Sequence, residues 1–268
     1  MTASGAIELG GLAVELAERA GALMLDRRRA DLVVATKSSA TDIVTDADRA
    51  VESFLVDQLR RRRPGDAVLG EESGESQPAG ANTTRWILDP IDGTVNFMLG
   101  LPQFSVSIAV EVDGLVVAGC VHNPSSGHTF SAVRGNGAFL GRTQLHGPRA
   151  VPLAEAVVAT GFGYDAQRRA RQGVMVGELI GRVGNLRRLG SAALDLCSLA
   201  AGWVDAYYEG PLGEWDCAAG LLIASEAGVE LSGLAGRPAG PWMVAGAHPS
   251  LAADFFSLLT ELGVDQLM

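Results

Sequence analysis

Cysteine is scarce in this 268-residue chain: Cys120, Cys197 and Cys217 are odd in number and far apart, which excludes a disulfide framework and a cysteine-rich zinc site. Their apolar or small neighbours point to reduced thiols, so a cytoplasmic location is expected. Aromatic residues make up only 6 %, and no apolar run approaches the roughly 18 residues a membrane span needs. The first helix-forming segment carries Glu15 and Glu18 among its apolar positions and lacks the basic, apolar, small-residue order of a signal peptide. Positive charge is in deficit too. With 21 Lys and Arg against 31 Asp and Glu, the net charge of −10 speaks against an extended nucleic-acid or anionic-membrane surface. The densest basic run, Arg60 to Arg63, closes a predicted helix, where cations complement the dipole, and reads as a solvated helix end. His122, His128, His146 and His248 lack zinc spacing and lie near turns, which favours surface roles. The chain has no G-x-x-x-x-G-K-[ST] loop, no G-x-S-x-G elbow and no H-E-x-x-H.

What the chain has is apolar bulk, 47 % of its residues, enough for a large core, either in one body of two halves or in two separate domains. Leu12, Leu16, Ala20, Leu23 and Met24 recur at helical spacing between Ile7 and Arg29. In the polar turn that follows, Thr45 caps a second helix and Asp48 closes its capping box less well than Glu would; Val51, Phe54, Leu55 and Leu59 form the buried stripe, and Pro64-Gly65 stops it. A short strand is predicted over 67–69. Phe104 to Val112 alternates apolar with small or polar residues, so one buried face is expected, and Asp113-Gly114 turns into a partner strand over 115–121. Further strands are expected over 129–133 and 138–140. The second half alternates strand 157–160, helix 167–180, strand 187–189, helix 191–201, strand 204–208, helix 215–227, strand 242–245 and helix 251–262, the order of an α/β layer structure.

One stretch concentrates chemistry. The apolar run Trp86-Ile87-Leu88 breaks into Asp89-Pro90-Ile91-Asp92-Gly93-Thr94, the way a buried strand ends in a polar site. Carboxylate, carbonyl and hydroxyl oxygens are the donors hard divalent cations take, and Mg²⁺ prefers a few carboxylates plus water and phosphate. Acids also stand in Gly70-Glu71-Glu72-Ser73, at Glu209, and in Trp215-Asp216-Cys217-Ala218-Ala219-Gly220. A lone acid at a helix start is more often a cap than a ligand. Several acids converging from separate segments are costly without a cation, so their meeting would mark a metal site. Asp195, inside a predicted helix, and Asp205, at a strand start, read as structural.

In order and spacing these segments resemble the inositol monophosphatase family, and within it the bacterial and actinobacterial SuhB-type branch. Lys37-Ser38-Ser39, Thr41-Asp42-Ile43-Val44-Thr45, Gly190-Ser191-Ala192-Ala193 and Asp205-Ala206-Tyr207-Tyr208-Glu209 extend the likeness over nearly the whole chain. The resemblance implies an α/β fold, a layered αβαβα sandwich of the inositol monophosphatase/fructose-1,6-bisphosphatase type. Residues 1–145 would form an α+β half with a largely antiparallel sheet and most metal ligands, and residues 146–268 an α/β half with the substrate-pocket residues. Glu71, Asp89 and the Ile91 carbonyl would hold one Mg²⁺, and Asp89, Asp92 and Asp216 a second, with Glu71 reaching a third, weaker ion through water. Glu71, Thr94 and Asp92 would be catalytic, the first two orienting and deprotonating the attacking water. On the substrate side the Gly93 and Thr94 amides would hold phosphate, Gly190, Ser191 and Ala192 would line the ring, Glu209 would accept from neighbouring hydroxyls, and Asp92 and Asp216 would border the ester. Gly161-Phe162-Gly163-Tyr164 resembles a further pocket edge.

The activity so implied is Mg²⁺-dependent, lithium-sensitive hydrolysis of myo-inositol monophosphate by a homodimer, with neither membrane nor nucleic acid as a direct partner. Two alternatives stay open. The same chemistry could act on histidinol phosphate, fructose 1,6-bisphosphate or 3'-phosphoadenosine 5'-phosphate, or the chain could be a regulatory partner of the transcription or RNA-processing machinery. One departure from the family stands after Arg134-Gly135-Asn136-Gly137-Ala138-Phe139, where Gly141-Arg142 replaces the usual Asn-Gly.

Overall fold

The computed structural model describes residues 2–28, 34–36, 43–76 and 83–266. The expected turn at Lys37-Ser38-Ser39 and Thr41-Asp42 lies outside them. The first half runs α1 (Ala3–Arg28), β1 (Val34–Thr36), β2 (Ile43–Thr45), α2 (Asp46–Arg62), β3 (Ala67–Gly70), β4 (Gly74–Glu75), β5 (Thr84–Asp92), α3 (Thr94–Leu99), β6 (Ser105–Val112), β7 (Leu115–Asn123), β8 (His128–Val133), β9 (Ala138–Leu140) and β10 (Thr143–Gln144). The second runs β11 (Val157–Thr160), α4 (Ala166–Leu179), β12 (Asn185–Arg187), α5 (Ala192–Ala200), β13 (Ala206–Glu209), α6 (Glu214–Glu226), β14 (Glu230–Ser232), β15 (Val244–Ala247) and α7 (Pro249–Glu261).

Two large sheets organise these elements, beside a two-stranded antiparallel ladder of β1 and β2. The larger has eight strands in the order β10-β9-β8-β7-β6-β5-β3-β4 and is antiparallel except where β3 runs parallel to β5. The smaller is mixed, β12-β11-β13-β15-β14, with β11 parallel to both its neighbours. Three apolar cores set the layers. Helices α1 and α2 pack on one face of the large sheet through Leu16, Ala20, Val51 and Leu55 against Trp86, Leu88 and Ile108. Helices α5 and α6 fill the space between the sheets, their Leu196, Ala219 and Ile223 meeting Ile87, Ala109 and Val121 on one side and Ala159, Tyr207 and Val244 on the other. The outer face of the small sheet is closed by α7 with Leu179 of α4. The result is the layered αβαβα sandwich expected.

Differences from the sequence reading have plain causes. Strand β6 is buried on both faces, Ser105, Ser107 and Ala109 included, because α6 covers the side that alternation assigned to solvent. His122 is buried as well and not at the surface: its Nδ1 pairs with Thr129 Oγ1 at 2.9 Å, and Gly21 of α1 passes too close to it to carry a side chain. The last strand begins at Val244, two residues later than the apolar run that starts at Trp242. The β9-β10 pair forms despite the missing Asn-Gly, since Gly141 adopts the positive φ of 57° that the turn needs. Arg62 and Arg63 of the basic run bind Glu15 at 2.7 Å and Asp66 at 2.7 Å, as a solvated helix end would. The three cysteines are free and buried. Among the described residues no helix is long and apolar enough to cross a membrane.

Candidate metal and phosphate site

Strand β5 carries two acids whose spacing would separate them, because residues three apart on a regular strand point to opposite faces. The ladder with β6 sets Asp89 opposite Ser107 and Asp92 opposite Ser105, so β5 takes three steps where β6 takes two. The extra residue at Pro90-Ile91 is a bulge; it reverses the parity and sends both carboxylates into one space. Proline is tolerated there because a bulge leaves a donor unpaired anyway. Asp89 Oδ1 accepts from Ile91 N at 3.0 Å and fixes the turn. Gly93 follows in the left-handed region at φ 88°, and α3 starts at Thr94.

The remote acids arrive by separate routes. Glu71 stands at the end of β3, and its N–H donates to Leu88 O at 3.2 Å, beside the last regular residue before the bulge. Asp216 lies in the first turn of α6, which Ser107 Oγ ties to the large sheet by donating to Trp215 O at 3.2 Å. Small residues let α6 sink that far: a methyl on Gly119 would come within 3.1 Å of Ala219 Cα, and one on Gly220 within 2.7 Å of Leu196 Cβ. The Ala-Ala-Gly after Trp-Asp-Cys is thus a packing device that delivers Asp216. Carboxylate oxygens of Asp89, Asp92 and Asp216 all lie within 4.8 Å of one another.

Such crowding has an electrostatic cost. Burial lifts the Asp89 carboxyl well above the usual range, and Glu71, Asp92 and Asp216 lift it further. Asp216 is raised by burial, then by Asp92 and Glu71. Asp92 is pushed up to about 6 by burial, against hydrogen bonds from Ser191 Oγ and the amides of Ala193 and its neighbours. The strongest charged neighbours of Asp89 are therefore all acids, and every donor in the cluster is a hard oxygen. This donor set fits Mg²⁺ and does not fit a soft, thiolate-seeking metal. A pH dependence follows. Because the folded values are raised, the protein binds protons more tightly than the unfolded chain, so this stability is complete below about pH 4 and is lost as pH climbs through 6. Metal-free protein should melt at a higher temperature at pH 5 than at pH 7.5, and millimolar Mg²⁺ should restore the loss at pH 7.5. A thermal scan that is flat in both comparisons would contradict the cluster's charge state.

Thr94 Oγ1 is 3.0 Å from Ile91 O and 3.1 Å from Asp48 Oδ1, with one proton to give to either. The sequence marks Asp48 as a cap, and it is one, its Oδ2 accepting from Thr45 N at 2.8 Å. Its other oxygen makes it part of the site. The available signal was its position, on the same face of α2 as Val51 and Leu55, which are buried.

A cavity of about 430 Å³ opens over these groups, lined by Glu71, Asp89, Ile91, Asp92, Gly93, Thr94 and Asp216 on one side and by Gly190, Ala192, Glu209, Phe162, Tyr164, Arg168, Arg188 and Trp215 around the rest. The sequence-predicted site residues line this cavity except Ser191 and, in the further pocket edge, Gly161. Ser191 is buried behind the wall as the N-cap of α5, and its hydroxyl donates to Asp92 Oδ2, joining the small-sheet half to the acid cluster. Glu209 is held by Tyr207 OH at 2.9 Å, and Gly161 gives it room, since any side chain there would overlap its carboxylate. Burial pushes Glu209 up to about 7. Arg168 and Arg188 carry no motif that would have marked them. Asp205 is structural, accepting from Val157 N at 2.9 Å and Arg149 Nε at 3.1 Å. Asp195 is fully buried, and burial raises its carboxyl well above the usual range.

A layered αβαβα sandwich with hard-oxygen donors gathered at the ends of β3 and β5, beside a polar cavity, is the architecture of a phosphatase. The comparisons narrow the class. This chain belongs to the inositol monophosphatase family, whose family model matches residues 8–261. It is 44 % identical over 237 residues to an inositol-1-monophosphatase of Mycobacterium leprae, covering 84 % of this chain and 81 % of the relative. It is 39 % identical over 227 residues to Nus factor SuhB of Escherichia coli, covering 84 % and 85 %. Among solved structures, the extragenic suppressor protein SuhB from Bartonella henselae matches with a TM-score of 0.88 at 32 % identity, over 95 % of this chain and 99 % of that one. SaIMPase-II of Staphylococcus aureus, solved with inositol monophosphate bound, matches at 0.80 with 28 % identity, over 98 % and 99 %.

Proposed function

We propose that the protein is a Mg²⁺-dependent phosphomonoesterase that hydrolyses myo-inositol monophosphate to inositol and phosphate. The observation that carries this reading is the meeting of Glu71, Asp89, Asp92 and Asp216, from three separate segments, on one cavity whose far wall holds Glu209. Glu71, Asp89, Asp92, Asp216 and the Ile91 carbonyl would hold the ions, two or three per site; when bound, they acidify a water and offset charge on the phosphoryl oxygens and leaving alkoxide. The protein's own groups do the rest. Thr94 Oγ, with its proton directed to Asp48, offers a lone pair to the water and aims it, while Glu71 takes the water's proton. The Gly93 and Thr94 amides hold phosphate oxygens against the cluster. As the P–O bond to the inositol ring breaks, the departing oxygen is left beside Asp92 and takes a proton from solvent water to become the hydroxyl of inositol.

Glu209 supports a polyol over other esters, since a carboxylate accepts from two neighbouring hydroxyls. Glu209→Gln should raise KM for inositol 1-phosphate about ten-fold, as loss of a charged hydrogen bond does, while leaving KM for p-nitrophenyl phosphate, which has no hydroxyls, within a factor of about two. Equal shifts for both substrates would remove Glu209 from the recognition of hydroxyls. The deciding experiment for the whole reading is phosphate release from a panel including inositol 1-phosphate, histidinol phosphate, fructose 1,6-bisphosphate and 3'-phosphoadenosine 5'-phosphate, with Mg²⁺ and with EDTA. Highest kcat/KM on another ester would reassign the substrate, and turnover in EDTA would reject the metal. The same reading includes lithium inhibition, a cytoplasmic homodimer, and a division near residue 145 between a metal-bearing and a pocket-bearing half. The likeness to Nus factor SuhB supports a regulatory role as a second reading, in which the acidic net charge favours a protein over RNA as direct partner.

A further inference from the structure

Glu52 is a charged residue in the middle of α2, and it is only 3 % exposed. Among the described residues its carboxylate meets no cation. Oε2 accepts from Glu72 N at 2.9 Å and Oε1 from Ser73 N at 2.8 Å, so both oxygens are engaged by the backbone of the turn that follows β3. That turn begins with Glu71, the acid that must reach Asp89 across a parallel ladder. Gly70, the last residue of β3, leaves the carboxylate its place: a methyl there would stand 2.6 Å from Glu52 Cδ and 2.7 Å from each of its oxygens.

The position of Glu52 on α2 adds to this. Asp48 and Glu52 are four residues apart, hence neighbours on one helix face. Asp48 reaches Thr94 at 3.1 Å, and Glu52 reaches the Glu71 turn. The buried face of one helix therefore grips the two segments that carry the water-handling groups, β3's end and α3's start.

We propose that Glu52 is a positioning residue for the metal site: its two amide bonds hold the 71–73 turn so that the Glu71 carboxylate is presented to the ion. The assignment rests on the metal-dependent reading above. A carboxylate accepting two backbone amides sets the turn more rigidly than a neutral side chain can, because charge-assisted bonds are about twice as strong as neutral ones. Glutamine in its place would offer one acceptor and turn an N–H₂ group toward an N–H.

The test is Mn²⁺ binding to the whole protein, followed by electron paramagnetic resonance and calorimetry, for wild type, Glu52→Gln and Gly70→Ala. The alanine variant displaces the carboxylate without altering it chemically. Both variants should weaken Mn²⁺ about ten-fold, in the range found when groups behind a metal ligand are lost, and the Mg²⁺ concentration for half-maximal turnover should rise in step. Asp89→Asn serves as the control that cannot build the site. If wild type and Asp89→Asn bind Mn²⁺ alike, the metal reading itself fails. If wild type binds and both variants match its affinity, Glu52 is a structural residue only and the proposal is overturned, whatever their melting temperatures.

Discussion

Asp89→Asn should abolish turnover while leaving the fold intact. The side chain sits at the centre of the acid cluster, within 4.8 Å of oxygens from both Asp92 and Asp216. Asparagine keeps the same shape and an oxygen that can accept from Ile91 N, so the bulge should survive. What it loses is the charge that the proposed ions would share. Metal charge stabilisation is worth several kcal/mol in a transition state, and about 4 kcal/mol corresponds to a fall of roughly 10³-fold in kcat. The metal-free variant should melt no lower than wild type at pH 7.5, because one member of a mutually repelling, buried group has been neutralised. Steady-state assays beside thermal scans check both halves, and a loss smaller than ten-fold would remove Asp89 from the centre of the mechanism. This substitution separates chemistry from folding better than one at Asp92, which also accepts from Ser191 Oγ and Ala193 N and so holds α5.

Gly93→Ala should damage stability and catalysis together. The residue is left-handed at φ 88°, where a β-carbon costs about 1–2 kcal/mol. Its methyl would also press within 2.8 Å of Gln103 O and 3.1 Å of Gly190 O, which are backbone atoms on two segments and cannot rotate away. A combined cost of about 2–4 kcal/mol, lowering Tm by roughly 5–12 °C, is expected for a protein of this size. Because Thr94 and the two amides proposed to hold phosphate ride on this turn, kcat/KM should fall about 10²-fold, the scale of an ångström-sized misplacement. A variant with wild-type kcat/KM and a lowered Tm would show that the turn is structural and not part of the reaction.

The acid-bearing stretch was legible because carboxylates, proline and glycine have few other reasons to follow a buried strand so closely. Its geometry was not. That Asp89 and Asp92 share a space depends on a bulge visible only in the register with β6, and periodicity alone would have placed them on opposite faces. Asp216 was marked by its motif, yet the reason it arrives, the close seat of α6 on Gly119, lies in another strand. Ser191 illustrates the limit of a motif: its place in the chain is beside the pocket, and its hydroxyl is spent behind it on Asp92. Asp48 was legible as a cap but not as a partner of Thr94, and Glu52 carried no motif. Both face inward because the sheet covers the side of α2 that holds Val51 and Leu55. Burial on both sides of β6 and of His122 was likewise invisible, since which face a helix covers is decided by residues far away in sequence.

Asn96, in the short helix after Gly93, donates through its amide to Gln103 O at 2.8 Å and to Leu189 O at 2.8 Å, with Gly190 O at 3.3 Å. It thereby fastens the phosphate turn to the loop leading into α5, at the seam where the two sheets' segments meet. Clamshell enzymes close over a ligand by swinging one lobe about such a seam. Here one side chain ties the seam to three backbone carbonyls on two segments, which opposes such a swing and keeps the Gly93 turn in register with Gly190.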